Sequence, residues 1–216
     1  MRLAAEEPAA GPWRVVGLAD LAAMAIRAAG GPGAHPRIVA VDGRSASGKT
    51  TLAARLERAI PGAATVHTDD VAWWHGFFDW DELMARGVLE PLRRGDDVAF
   101  RPPAWEERGR PGAIEVPAGA SVVLVEGVGA GRRELAGLVD AVLWVQSDLE
   151  VRARRDEARV AAGEVSSDLL ERWMADEVPF VAEQRPWERA FAVVAGTPDV
   201  AHDPATEVVV ATPPDR

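Results

Sequence analysis

The chain has 216 residues, 48% of them apolar and 27% charged, a balance that suits one soluble globular domain and lacks the long uncharged apolar run a membrane span requires. Its formal net charge of −10 argues against broad electrostatic attraction to nucleic acid or an anionic membrane, so an anionic ligand must be held locally. Zero cysteines exclude disulfides, zinc-thiolate sites and cysteine nucleophiles.

Met1 to Gly11 is polar, alanine-rich and acidic; it is expected to fray, shows no secretory signal, and points to a cytoplasmic protein. Leu18, Leu21, Ala22, Ala25 and Ile26 recur at helical spacing, and Gly30-Gly31-Pro32-Gly33 stops what reads as an accessory packing helix. Ile38 to Val41 then forms a first core strand leading into Gly43-Arg44-Ser45-Ala46-Ser47-Gly48-Lys49-Thr50, a glycine-rich phosphate loop. Gly43 and Gly48 allow backbone conformations closed to residues with a Cβ, so that successive N–H groups turn inward around a phosphate. The candidate nucleotide-binding residues are Gly43, Ser45, Ala46, Ser47, Gly48, Lys49, Thr50 and Thr51, with Lys49 on the β- and γ-phosphates and the Thr50 hydroxyl on Mg²⁺. Of 24 cationic side chains Lys49 is the one lysine, placed where a compact point charge must sit among phosphate oxygens. Leu52, Leu56, Ala59 and Ile60 give the following helix an apolar face, and Pro61-Gly62 ends it.

Ala64 to His67 reads as a second strand that delivers Asp69 and Asp70 to its carboxyl end, where open α/β sheets place their ligands. The next stretch, Val71 to Asp81, holds Trp73, Trp74, Phe77, Phe78 and Trp80: each alone suits a core, while the cluster with its acids suits the wall of a pocket for a flat organic substrate. A helix is expected over Asp81 to Arg94, with Pro91 dividing it. Arg101 to Gly112 is a proline- and glycine-rich loop, continuing as a hairpin arm through Ile114-Glu115-Val116.

Val122 to Val125 is too continuously apolar for a half-exposed strand, and Glu126 at its end has the Walker B placement suited to holding a metal. Ala141 to Val145 is a further buried strand. Beyond it Arg152, Arg155 and Arg159 share one helix face, which is either a solvated surface neutralised by Glu150, Asp156 and Glu157 or a mobile cation for a transferred phosphoryl group. Asp168 opens the next helix, with Leu169, Leu170, Trp173, Met174 and Val178 as its apolar side, and Pro179 and Pro186 break the segment. Ala192 to Val194 reads as a last short strand, and Glu207 to Ala211 as an edge strand.

From Arg37 to Pro198 this order of parts resembles the uridine kinase-like group of P-loop kinases, which includes nicotinamide riboside kinases, pantothenate kinases and phosphoribulokinases. The likeness rests on GRSASGKTT, TDDVAWW, WDELMARGVLEPLRRGDDVAFRPPAW, VLVEGVGA, VQSDLEVRARRDEAR and PWERAFAVVAGTP. It implies a three-layer α/β P-loop NTPase fold, with a parallel sheet flanked by helices and a small lid and substrate arm. The expected organisation is one domain over 1–216, with 1–36 an N-terminal extension, 71–118 a substrate-binding insert and 149–165 a lid. Asp69 is implied as the general base, with Asp70 the alternative, Thr50 and Glu126 on Mg²⁺, and Arg155 as the lid cation beside Arg152 or Arg159. Asp81 or Asp79 is implied as the acid facing substrate hydroxyls, and Asp70, Trp74, Trp105 and Arg159 complete the substrate-side candidates. Val71 where the family has an aromatic, Trp105 where it has a tyrosine, and the altered arginine spacing all fall in the substrate half.

The expected activity is ATP- and Mg²⁺-dependent transfer of a γ-phosphoryl group to a hydroxyl of a nucleoside or nucleoside-like small molecule. A nucleotide-dependent regulatory ATPase module and an antibiotic-hydroxyl phosphotransferase are the competing readings. No nucleic-acid or membrane partner is expected, and monomer and homodimer both stay open.

Overall fold

The computed structural model describes residues 1–31, 33 and 35–213. The chain runs β1 (Arg14–Gly17), α1 (Leu18–Ala28), β2 (Arg37–Gly43), α2 (Lys49–Ala59), β3 (Ala63–His67), α3 (Thr68–Ala72), α4 (Asp81–Met84), a π-helical turn (Ala85–Leu89) and α5 (Glu90–Arg93). It continues as β4 (Val98–Phe100), α6 (Pro103–Glu107), β5 (Ile114–Val116), β6 (Val122–Glu126), β7 (Ala141–Gln146), α7 (Leu149–Ala161), α8 (Ser167–Gln184), β8 (Ala190–Ala195) and β9 (Glu207–Ala211).

Uninterrupted apolar strands need cover on both faces, and this sheet has it. Ile38 and Ala40 of β2 point into one core with Trp80, Met84, Leu89 and Trp144, while Val39 and Val41 point into a second core with Leu21, Leu52 and Leu56. The result is three layers, with α1 and α2 on one face and the short helices α4 and α5 on the other. The strand order is β1-β9-β8-β7-β2-β6-β3. The five strands from β8 to β3 are parallel; β9 and β1 are added antiparallel. Pairing of Val41 and His67 with Glu126 brings the ends of β2, β6 and β3 level, so the loops that follow them share one rim.

Several expectations change. Glu207 to Ala211 is not the edge, because β1 pairs with it residue for residue from Arg14↔Val210 to Gly17↔Glu207. Pro91 does not divide its helix; the π turn before it widens the backbone spacing where the proline ring would meet the carbonyl four residues back. Pro179 likewise lies inside α8, whose burial of Val181 and Gln184 carries the helix past it. Ser166, not Asp168, caps that helix, its Oγ accepting from the Leu169 N–H at 3.2 Å. The helix is also rotated from the expected phase: Glu177, Val181 and Gln184 are buried, while Leu169 and Val178 are exposed. Of the Gly30-Gly31-Pro32-Gly33 stop, Pro32 lies outside the described residues. Among the described residues no helix is long and apolar enough to cross a membrane.

The N-terminal segment is the largest correction. Its composition predicts fraying, yet Leu149 N–H donates to the Arg2 carbonyl at 2.8 Å and the Arg2 N–H to Asp148 at 2.7 Å. Glu7 is buried and accepts from the Trp144 indole at 2.7 Å and from Gln146 at 3.1 Å, and Ala10 N–H donates to Gln146. Polar side chains at the end of β7 thus find their partners in a strap that composition alone reads as loose.

Candidate active site at the phosphate loop

The loop between β2 and α2 turns most of its carbonyls outward; of the predicted nucleotide-binding residues, Ser45 is turned away, its N–H donating to Glu177 Oε1 at 3.0 Å. Each outward carbonyl is taken up: Arg44 O by the Ser47 N–H at 3.1 Å, Ser45 O by Arg152 Nε at 2.7 Å, Ala46 O by Arg155 Nη1 at 2.8 Å, and Ser47 O by the Ser147 hydroxyl at 2.7 Å. The amides of Ala46, Gly48, Lys49 and Thr50 have no acceptor among the described residues. Such an inward amide cluster at the head of α2 is an anion cradle, reinforced by the helix dipole. Positive φ at Ala46 (56°) and Gly48 (98°) makes the inward turn. Gly43 is required for a different reason: a Cβ there would stand 2.7 Å from Ser47 Oγ and 2.9 Å from the Val145 carbonyl. Lys49 has one long contact, Nζ to Arg44 O at 3.5 Å, which leaves its charge for a ligand.

Glu126, at the end of β6, accepts from the Thr50 hydroxyl at 3.0 Å and from His67 Nδ1 at 2.7 Å. Burial works to raise its carboxyl, but the His67 bond, the Lys49 charge and the Thr50 bond outweigh it and hold the group below the ordinary range. Glu126 is therefore kept ionised, and the same bond raises His67 above its usual value. Among the described residues no group of three or more His, Asp or Glu could hold a metal unaided. Thr50 and Glu126 fit Mg²⁺, which takes one or two protein ligands and completes its shell with phosphate oxygens and water.

Asp69 and Asp70 open α3 at the same rim, and their surroundings separate them. Asp70 Oδ1 accepts from Arg110 Nη2 at 2.5 Å, and its carbonyl accepts from Trp105 Nε1 at 2.9 Å. Asp69 has neither ion pair nor side-chain hydrogen bond among the described residues. Asp69 is exposed at the rim, yet the protein packed around it strips its carboxyl of part of its hydration and raises it above the ordinary range; Lys49 opposes that, and Glu126 adds to it. A carboxylate unpaired, raised in pKa and within the field of the loop lysine is suited to take a proton.

The three arginines of α7 part company. Arg152 is buried, holding the Ser45 carbonyl and facing Glu177 at 3.5 Å. Arg159 is paired with Asp156 at 3.5 Å and Glu164 at 3.6 Å, and it meets the loop through Asp156, whose Oδ1 accepts from the Ser45 hydroxyl at 3.5 Å. Arg155 is exposed and donates to the Ala46 carbonyl at 2.8 Å and the Gly196 carbonyl at 3.3 Å, which places its guanidinium beside the phosphate loop.

The aromatic cluster that follows α3 divides. Trp80 is fully buried core, and Trp105 is buried as a support for Asp70 with Arg110 stacked on it at 3.6 Å. Trp74 is 65% exposed with a left-handed backbone, and Arg108 covers its ring at 3.7 Å. Asp81 faces Arg132 at 3.7 Å, whereas the exposed Asp79 carboxylate has no side-chain partner among the described residues.

Three functional-looking groups escaped the sequence reading. Asp42 is wholly buried and accepts from the amides of Gly43, Gly129 and Gly131, tying the phosphate loop to the turn after β6; burial pushes it up to about 6 against those bonds. Its signal was an acid inside an apolar strand. Arg44, 3% exposed, pairs with Glu6 and Glu7 of the N-terminal strap, a contact no local pattern announces. Glu177 is an acid in the buried stripe of α8.

No protein-family model and no curated protein matches the chain. Solved structures do. A possible uridine kinase from Bacillus stearothermophilus superposes with a TM-score of 0.54 at 19% identity, covering 82% of this chain and 96% of that one. A protein provisionally described as a fructose transport system kinase from Silicibacter sp. TM1040 gives 0.57 at 19% identity, covering 80% and 94%. At that identity the likeness is one of fold, and the fold of this chain is the α/β fold of the P-loop kinases, a mostly parallel sheet flanked by helices.

Proposed function

We propose that the protein is an ATP- and Mg²⁺-dependent small-molecule kinase that phosphorylates a hydroxyl of a nucleoside or nucleoside-like acceptor. The observation that carries this reading is the juxtaposition at one rim of an amide cradle, the Thr50–Glu126 pair and an unpaired Asp69. A regulatory nucleotide switch needs the first two and has no use for the third.

In this mechanism the loop amides and Lys49 bind the β- and γ-phosphates, and Thr50 and Glu126 would hold a magnesium ion, which would supply neutralisation of phosphate charge. Asp69 accepts the proton of the acceptor hydroxyl as its oxygen bonds to the γ-phosphorus, the bond to the β-phosphate oxygen breaks, and ADP leaves. Lys49 and Arg155 meet the charge that develops on the transferred group. Residues 71–118 form the acceptor insert, with Trp74, Phe77, Phe78 and Asp79 as the surface for a ring-bearing polar molecule, and 149–165 act as the lid. The names of the two structural neighbours point to different acceptors, a nucleoside and a sugar system, which supports hydroxyl phosphorylation without choosing the molecule.

The test is ADP release from MgATP across nucleosides, sugars, vitamins and hydroxylated antibiotics. Acceptor-dependent release supports the kinase; a partner protein bound differently with ATP and ADP, with no phosphorylated product, supports the switch.

A further inference from the structure

One carboxylate touches both halves of the site. Glu177 is fully buried, at 0% exposure, on α8. Its Oε1 accepts the Ser45 N–H of the phosphate loop at 3.0 Å and faces Arg152 Nη2 at 3.5 Å. Its Oε2 accepts the Trp173 indole N–H at 2.8 Å. The Trp173 ring lies against Phe77 at 5.2 Å and Phe78 at 5.1 Å, the latter also stacked on Phe180 at 4.0 Å. A single rigid group therefore joins a loop amide to the aromatic segment on the acceptor side.

We infer that Glu177 is a positioning residue that couples nucleotide binding to the arrangement of the Phe77–Phe78 acceptor wall, an inference that rests on the kinase reading. The physical argument is the geometry of a carboxylate. Its two oxygens are fixed relative to each other; the Ala46 N–H of the cradle shares a peptide group with the Ser45 carbonyl, so a shift of that peptide when phosphate enters moves Ser45, rotates the carboxylate through the Ser45 N–H, and with it the indole it holds. Fully buried, the carboxylate has no water to take over either bond. Glutamine in its place has one acceptor oxygen for two N–H donors and must release one of them. Arg152 fixes the same Ser45 from its carbonyl side, so the loop residue is held at both peptide groups and its displacement is transmitted rather than absorbed.

The experiment uses the full chain labelled with fluorotryptophan. Its eight tryptophans give resolvable ¹⁹F lines, and the Trp173 line is identified by its loss in Trp173→Phe. MgADP is titrated by calorimetry and by NMR. The expected result is that MgADP moves the Trp173 line in the wild type, and that Glu177→Gln still binds MgADP but leaves that line in place. A Trp173 line that does not respond to bound MgADP, or responds equally in Glu177→Gln, overturns the coupling while leaving the kinase reading intact. Absence of MgADP binding by the wild type overturns the nucleotide reading itself. Should Glu177→Gln not fold, Trp173→Phe carries the test: loss of the indole N–H changes MgADP affinity by about threefold or more, and an unchanged affinity overturns the proposal.

Discussion

Arg110 holds Asp70 at 2.5 Å and leaves its neighbour Asp69 without an ion-pair partner among the described residues, so two adjacent acids have different environments. Asp69 is on that ground the residue proposed to take the acceptor proton. Asp69→Asn is expected to lower turnover by about 10³-fold with MgADP affinity nearly unchanged. Asp70→Asn, which frees Arg110, keeps turnover within about tenfold of the wild type. Steady-state rates with parallel calorimetry decide this; equal losses in both variants would contradict it.

A base with a raised pKa leaves a mark on the pH profile. Partial loss of hydration at the site rim raises the carboxyl of the exposed Asp69 above the ordinary aspartate range, and the group must be ionised to accept a proton. The rate with saturating substrates is therefore expected to fall on acidification at a higher pH than a surface aspartate would give. A profile flat down to the ordinary carboxylate range would place the base elsewhere.

Thr50 and Glu126 are expected to act through magnesium. Glu126→Gln is expected to weaken MgADP binding about tenfold, near 1.4 kcal/mol, while binding of ADP in the presence of a chelator stays the same. Loss of both affinities by the same factor would show that Glu126 only supports the loop.

Asp42 makes a stability prediction with a definite sign. Its folded pKa of about 6 lies above the ordinary 3.8, so the folded state holds this proton more tightly than the unfolded state does. Its contribution is most favourable below pH 3.8 and is lost as pH rises through about 6, by roughly 3 kcal/mol in all. Other carboxylates, Glu126 among them, slope the opposite way. Asp42→Asn removes this one component, so urea unfolding across that window should show stability rising more steeply with pH in the variant than in the wild type. An identical slope would refute the assignment.

The strap is open to the same kind of measurement. Glu7→Ala removes one of two acids from the buried Arg44 and strands the Trp144 indole, so it is expected to cost about 2 to 3 kcal/mol of stability. A loss below about 0.5 kcal/mol would show the strap to be superficial.

Legibility followed the reach of each interaction. The phosphate loop, Glu126 and the central strands could be read because glycine spacing and unbroken apolar runs are local patterns with local causes. The phase of α8 could not: Glu177 is buried by partners on the phosphate loop and α7, residues more than twenty positions away, so an apolar stripe drawn through Val178 was the natural but wrong choice. The same holds for Arg44, whose acids lie 37 and 38 residues upstream. In sequence Asp69 and Asp70 are equivalent neighbours, and the ion pair with Arg110, forty residues away, separates them.

The central claim is that the γ-phosphoryl group of ATP ends on an acceptor hydroxyl. It is tested most directly by incubating γ-labelled ATP with the wild type and acceptor candidates, then following the label by mass spectrometry. The account predicts label covalently bound to one acceptor, lost in Lys49→Ala and in Asp69→Asn while the latter still binds MgADP. Label released only as inorganic phosphate, at the same rate with and without acceptor, would contradict it.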